Sequence, residues 1–148
     1  MANGPKRMTR QRMIILEELR KVTSHPTADE LYELVRERLP RVSLGTVYRN
    51  LEVLSETGEI LKLESAGSQK RFDGDTSEHY HVRCTCCGRV GDVDVSGDVA
   101  LPDLANFRCE GFSLSRASLE FYGLCDDCRA AAARGECRMP ETATDVRQ

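Results

Sequence analysis

The sequence predicts an α+β protein: an N-terminal winged helix-turn-helix domain followed by a C-terminal α/β dimerisation domain with a structural zinc clip. Three observations carry that expectation. Three successive stretches space their apolar residues helically and lead into two short alternating stretches. The pattern then turns strand-like, and two C-x-x-C pairs fall in that second half.

In the first stretch Ile15, Leu19 and Val22 stand at i, i+4 and i+7, with Leu16 widening the stripe. The second begins with Thr27 and, three residues later, Glu30, which read as a capping box. Ala28, Leu31, Tyr32, Val35 and Leu39 share one face, and Pro40 ends the helix. The third, SLGTVYRNLEVLSETG, is expected to bury Leu44, Val47, Leu51 and Leu54, and to carry Thr46, Arg49, Asn50 and Val53 on the opposite side. Ser43 is its N-cap and Gly58 its C′ residue. EILKLE alternates, SAGSQ is turn-rich and KRFD is extended again, so residues 59–73 form a hairpin, the wing.

The polar run DGDTSE places a hinge at residues 73–78, between a first domain at 1–72 and a second at 79–135. Strands are expected at Tyr80 to Cys84, Arg89 to Val95 and about Phe112 to Tyr122. A short helix is expected from Pro102 to Phe107 and another in the alanine run after Cys128. Residues 136–148 lack periodicity and read as a flexible tail.

A chain of 148 residues split into two small domains sits near the limit of a self-sufficient core, so a staple is expected. Seven cysteines, with neither a signal peptide nor an apolar run of membrane-span length, point to a cytoplasmic, reducing compartment. Cysteines there bind metal or do redox chemistry more often than they form structural disulfides. The net charge of −3 hides an asymmetry: residues 1–72 carry 13 Lys and Arg against 10 Asp and Glu, whereas the rest carries 8 against 14. Only the first half is therefore suited to face a polyanion.

Cys84 and Cys87, followed by Gly88, form one C-x-x-C and Cys125 and Cys128 the other. Two intervening residues let both sulfurs of a pair reach one ion, and two pairs make the tetrahedral four-thiolate set that Zn²⁺ favours. The 37 residues between the pairs make this a clip between a turn and a distant strand end rather than a ribbon. Cys84 with Cys86 is a second register, but only Cys84 with Cys87 places Gly88 after the second ligand. Cys86, Cys109 and Cys137 are then spare thiols. A closed four-thiolate site stabilises the fold and does no chemistry.

A second set combines nitrogen and oxygen. His79 and His81 stand at i and i+2 on an extended segment and share a face, as do Asp92 and Asp94 on the next strand. His79, His81 and Asp92 are thus candidate ligands.

HPTADELYELV, SLGTVYRNLEVL, the RFD of Arg71 to Asp73, HYH with C-x-x-C-G, and LEFYGLCDDC together resemble the ferric uptake regulator family of bacterial metal-responsive repressors, from about Thr9 to Arg129. The resemblance implies a regulatory ion held by His25, Asp73, His79, His81 and Asp92. Of these, His25 belongs to the first domain, Asp73 to the hinge and the rest to the second domain, so one ion would lock the angle between domains. Three imidazoles and two carboxylates suit Fe²⁺ or Mn²⁺. Aspartate at the positions of Asp73 and Asp92 is similar to the family's peroxide sensors; iron-uptake repressors tend to have glutamate there. In such sensors a ligand histidine is oxidised, and the matching positions are His25 and His79. Ala117 stands where iron-responsive members often carry a further histidine ligand, which argues against a third metal site.

In a helix-turn-helix the second helix of the motif enters the major groove. The resemblance points to Tyr48 and Arg49 as contacts, beside Ser43, Thr46 and Asn50 on the same helix; Arg49 suits guanine or phosphate equally. Lys70 and Arg71 on the wing, and Lys6, Arg7, Arg10 and Arg12 before the first helix, are candidates for the DNA backbone. Val93, Val95, Leu119 and Phe121 form the expected face for a second copy, and a two-fold dimer would read an inverted repeat. The expectation is a metal-dependent, peroxide-responsive repressor, with an iron- or manganese-responsive repressor as its alternative. A zinc hydrolase or deaminase is disfavoured because HYH lacks H-x-E and the thiolate set leaves zinc no open position. A thiol oxidoreductase would need one exposed C-x-x-C.

Overall fold

The structure is a computed structural model, and it describes residues 7–64 and 69–137. Lys6, the SAGSQ turn apart from Gln69, and the tail beyond Cys137 lie outside the described residues. The chain divides into two compact units, Met1–Glu78 with Gly88–Gly91, and His79–Cys87 with Asp92–Gln148.

The first unit opens with α1 (Arg10–Arg20), α2 (Ala28–Arg38) and α3 (Leu44–Glu56). Each starts at a hydroxyl residue: Thr9 accepts from the Arg12 amide, Thr27 from that of Glu30, and Ser43 from that of Thr46. These bonds satisfy amides that the first helical turn leaves without a partner. At α2 the capping box is complete, with the Thr27 amide donating to Glu30 Oε2 at 2.9 Å. Gly58, at φ 77°, follows the end of α3 in the left-handed region that glycine adopts without strain.

The wing pairs β1 (Leu61–Leu63) with β2 (Arg71–Asp73) antiparallel, Lys62 opposite Phe72. Ile15, Leu16, Leu19, Ala28, Leu31, Val35, Val42, Val47, Leu51, Leu54, Ile60 and Phe72 make one core. Phe72 is fully buried, so the hairpin contributes an aromatic side chain to the helical core. Leu44, expected to be buried, is only half-buried because it sits in the first turn of α3 beside the capping residue. Asn50, expected on the outward side, is buried.

In the second unit β3 (Tyr80–Cys84) is the central strand of a sheet ordered β4-β3-β5, with β4 at Val90–Val93 and β5 at Phe121–Gly123. β3 and β5 are parallel, with Val82, Arg83 and Cys84 opposite Phe121, Tyr122 and Gly123. Three expected elements are shorter, the strand expected at Arg89 to Val95 spanning Val90–Val93. The third strand begins at Phe121 rather than near Phe112, since residues 112–120 pair with no strand among the described residues and Phe112 is 76% exposed. The helix expected at Pro102 to Phe107 is a single 3-10 turn, Leu104–Asn106, capped by the Asp103 carboxylate. α4 (Asp126–Ala133) closes the unit. Among the described residues no helix is long and apolar enough to cross a membrane.

Candidate metal centres

The strand register explains how two cysteine pairs so distant in sequence meet. Parallel pairing sets Cys84 opposite Gly123, and the Thr85 amide continues the ladder to the Gly123 carbonyl at 2.9 Å. Cys125 follows two residues after Gly123 and is the N-cap of α4; Cys128 lies in the helix's first turn. On the other side Gly88, at φ 77°, turns the chain directly after Cys87.

The sulfurs of Cys84, Cys87, Cys125 and Cys128 all lie within 4.8 Å of one another, and Cys87 Sγ is 3.8 Å from Cys125 Sγ. A tetrahedral zinc with Zn–S bonds of ~2.3 Å has sulfur–sulfur edges of about 3.8 Å, so the set fits zinc. Burial works against ionisation of Cys84, yet the backbone amides of Cys87, Cys125 and Cys86 directed at its sulfur hold its thiol at about 6. Cys128 goes the other way, to about 12, because its thiol hydrogen-bonds to Cys125, is desolvated and faces Cys87 and Cys84. Without a cation four sulfurs this close cannot all carry charge; a divalent ion removes that obstacle.

Cys86 and Cys137, expected to be spare thiols, are joined as a disulfide. Cys86 is exposed in the turn between Cys84 and Cys87, and the chain beyond α4 returns to meet it. Their separation of 51 residues carries no spacing signal, so the sequence pattern could not pair them. Cys109 remains an exposed free thiol.

The nitrogen and oxygen candidates fall into two groups. In the first unit, buried His25 directs Nε2 at Asp73 Oδ2 at 3.2 Å, while Asp73 Oδ1 accepts from the Asp75 amide at 2.9 Å. Three consecutive residues of β2 fasten the loop that carries His25. Arg71 Nη1 donates to the His25 carbonyl at 3.1 Å, the Phe72 amide to the Pro26 carbonyl at 3.0 Å, and Asp73 meets the ring. His25 is held at φ 49°, the one described residue other than glycine with positive φ. In the second unit His79 Nε2 and His81 Nε2 both face Asp92 Oδ1, at 3.3 and 3.6 Å, with the two rings edge-on 4.4 Å apart. Imidazole nitrogens aimed at carboxylate oxygens are the donor type that divalent iron, manganese or zinc accepts.

On α3 the side chains sort by exposure. Tyr48 and Arg49 are exposed. The Ser43 and Thr46 hydroxyls lie 2.9 Å apart at the helix start. Asn50 turns inward, donating to the Thr46 carbonyl at 2.9 Å and accepting from Arg12 Nε at 3.0 Å. Arg12 also donates to the Arg7 carbonyl, so its guanidinium braces α1 against α3. Arg71, expected to reach the DNA backbone, is likewise drawn inward. Its guanidinium bonds the carbonyls of His25 and Gly88 and the Glu30 carboxylate, leaving 13% of the side chain exposed. Lys70 is exposed and pairs with Glu64 at 3.2 Å and Glu52 at 3.4 Å.

The ferric uptake regulator family model matches residues 3–122. The chain belongs to the ferric uptake regulator family. Among relatives of this family member, the peroxide operon regulator of Bacillus subtilis is 40% identical over 122 residues, 82% of this chain and 83% of that protein. The peroxide-responsive repressor PerR of Staphylococcus saprophyticus is 36% identical over 129 residues, 87% of this chain and 86% of its own. Among solved structures, the Campylobacter jejuni peroxide stress regulator is similar with a TM-score of 0.51 and 38% identity. That likeness covers 56% of this chain and 61% of the other.

Proposed function

We propose that this chain is a metal-dependent transcriptional repressor that binds DNA and is released by hydrogen peroxide. The observation that carries the reading is the pair of half-sets, His25 with Asp73 and His79 with His81 and Asp92, each bringing imidazole nitrogen to an aspartate oxygen. Both carboxylates are aspartates, and the named relatives at 36–40% identity are peroxide regulators. Iron or manganese uptake control is accordingly the less favoured function.

In this reading Zn²⁺ is held by Cys84, Cys87, Cys125 and Cys128 and keeps the second unit folded. His25, Asp73, His79, His81 and Asp92 together hold one regulatory Fe²⁺ or Mn²⁺. Fe²⁺ held there would supply the redox chemistry that cleaves the peroxide O–O bond, which Mn²⁺ would not do readily; in the net reaction one hydrogen peroxide gives one oxygen to an imidazole carbon and leaves one water. His25 and His79 are the rings that gain oxygen. A ring so modified is a poorer donor, and its loss releases the tie between the halves of the site and lowers affinity for DNA.

The recognition helix is α3. Tyr48 and Arg49 reach the bases or phosphates, Ser43, Thr46 and Asn50 set the helix for them, Lys70 holds the wing to the DNA backbone, and Arg71 fastens the wing to the loop before α2. A homodimer presents two such helices to an inverted-repeat operator. The chain works in the cytoplasm and is a regulator rather than an enzyme.

The deciding experiment is anaerobic DNA binding by the zinc-loaded protein with Fe²⁺ or Mn²⁺, before and after low peroxide, followed by peptide mass spectrometry. Loss of binding in the Fe²⁺ sample alone, with one oxygen added at His25 or His79, is the expected result. Unchanged binding and unmodified histidines would instead identify an iron- or manganese-responsive repressor.

A further inference from the structure

Outside the four ligands, the second unit carries a further sulfur pair that the proposed function does not use. Cys86 stands between Cys84 and Cys87, on the same turn as half the zinc clip. Cys137 follows α4, whose first turn carries the other half. The chain is turned back there by a left-handed Gly135 at φ 75°, with the Gly135 amide bonding the Ala132 carbonyl and the Glu136 amide the Ala131 carbonyl. That double bond pattern is a Schellman motif, a defined reversal rather than a fraying end. The Cα atoms of Cys86 and Cys137 are 6.5 Å apart, within disulfide reach. The sulfurs of Cys86, Cys137 and the ligand Cys128 all lie within 4.8 Å of one another, so the pair rests against the ligand cluster.

We propose that Cys86 and Cys137 are a peroxide-oxidisable dithiol pair, distinct from the zinc ligands, whose disulfide joins the two segments that zinc joins and so retains the ion under oxidant. Coordination, not exposure, sets the order of attack. Cys86 is exposed and Cys137 half-buried, as are Cys87 and Cys125, but the latter two are held on zinc in this reading, which leaves Cys86 and Cys137 as the accessible sulfurs not tied to the ion. One thiolate attacks a peroxide oxygen, the O–O bond breaks and a sulfenic acid forms as the first water leaves. The second thiol attacks that sulfur, the S–S bond forms and the second water leaves. Two thiols thus lose two hydrogens and two electrons, and one hydrogen peroxide becomes two waters. The bond closes a separation of 51 residues across the clip, so both segments stay together even when a ligand thiolate is lost. In a reducing compartment such a pair is reopened by cellular thiols, as a switchable tie requires.

This inference rests on the zinc clip but not on histidine oxidation. The test therefore uses the full chain loaded with zinc and manganese. After hydrogen peroxide, thiols are alkylated and peptides weighed, while released zinc is followed with a chromophoric chelator. The expected result is a linked Cys86–Cys137 peptide pair, about two mass units lighter than its two reduced parts, with zinc retained. Cys86→Ser and Cys137→Ser should each lose the link and release zinc several-fold faster at the same peroxide dose. Oxidation of the ligand cysteines while Cys86 and Cys137 remain alkylatable would overturn the proposal. So would zinc release at the parental rate in both variants. Zinc content before peroxide separates the two failures: a chain without zinc defeats the clip itself, and the proposal with it.

Discussion

At the scale of single residues, His25 is the most constrained side chain in the first unit. A residue other than glycine at φ 49° costs of order 1–3 kcal/mol, which the surrounding bonds must hold in place. Asparagine tolerates that conformation better than most residues but is a poor substitute for an imidazole ligand. His25→Asn should therefore keep a thermal midpoint close to the parent's while losing Mn²⁺-dependent DNA binding. A variant that still binds DNA in a manganese-dependent way would remove His25 from the ligand set. Gly74 is constrained for another reason. A Cβ there would stand 2.9 Å from Arg20 Cγ and 3.1 Å from Arg20 Cα, closer than α1 allows. Gly74→Ala should destabilise the first unit by about 1–3 kcal/mol in urea unfolding; an unchanged midpoint would mean that the contact yields freely. Nothing in the sequence marks either constraint. His25 reads as a turn residue before Pro26, and Gly74 as part of a polar linker, because both depend on neighbours far along the chain.

At the scale of elements, α1 and α2 are joined by Arg38, whose Nη1 meets Glu17 at 2.7 Å and Glu18 at 2.8 Å. Hydrogen bonds from Lys21 first and Arg38 second hold the Glu18 carboxyl below its ordinary 4.5. Since the folded value is the lower one, this contribution to stability is present above about pH 4.5 and is lost as pH falls through the folded value. Arg38→Ala should flatten that acid limb in urea midpoints measured against pH, with little change in the limb's upper end position. Identical limbs would show that Lys21 alone sets the carboxyl. On α3, Arg49→Ala should weaken operator binding by about 1–3 kcal/mol if it reads guanine, or lower the salt slope by about 1 if it meets phosphate. Unaltered binding would exclude both. The helices, their hydroxyl caps and the wing were legible because each is a local pattern. The strand expected from about Phe112 starts only at Phe121, because a strand needs a neighbour to pair with and a local pattern does not supply one. Asn50 and Arg71 were misplaced for a related reason: helical spacing and charge say which residues are polar, not which find internal partners.

At the scale of the whole molecule, the two units differ in what keeps them folded. The first has a core of a dozen buried side chains. In the second the buried apolar residues include the candidate zinc ligands Cys84 and Cys128 themselves. Cys125→Ser, or zinc removal by a strong chelator, should therefore abolish hydrogen-exchange protection in β3 and β5 while leaving it in α1 to α3. Equal protection with and without zinc would assign the ion no structural part. The parallel register of β3 against β5 also sets an order of events during synthesis. Apart from the Arg71 bond to the Gly88 carbonyl, the core that the helices and wing of the first unit make is supplied once Asp73 has emerged from the ribosome. Cys84 and Cys87, by contrast, must wait for some 37 more residues before their partners exist. Throughout that interval the nascent chain carries an open, thiolate-rich half-site, and the availability of zinc as Cys125 emerges governs whether the second unit closes correctly or is captured by other metals and oxidants.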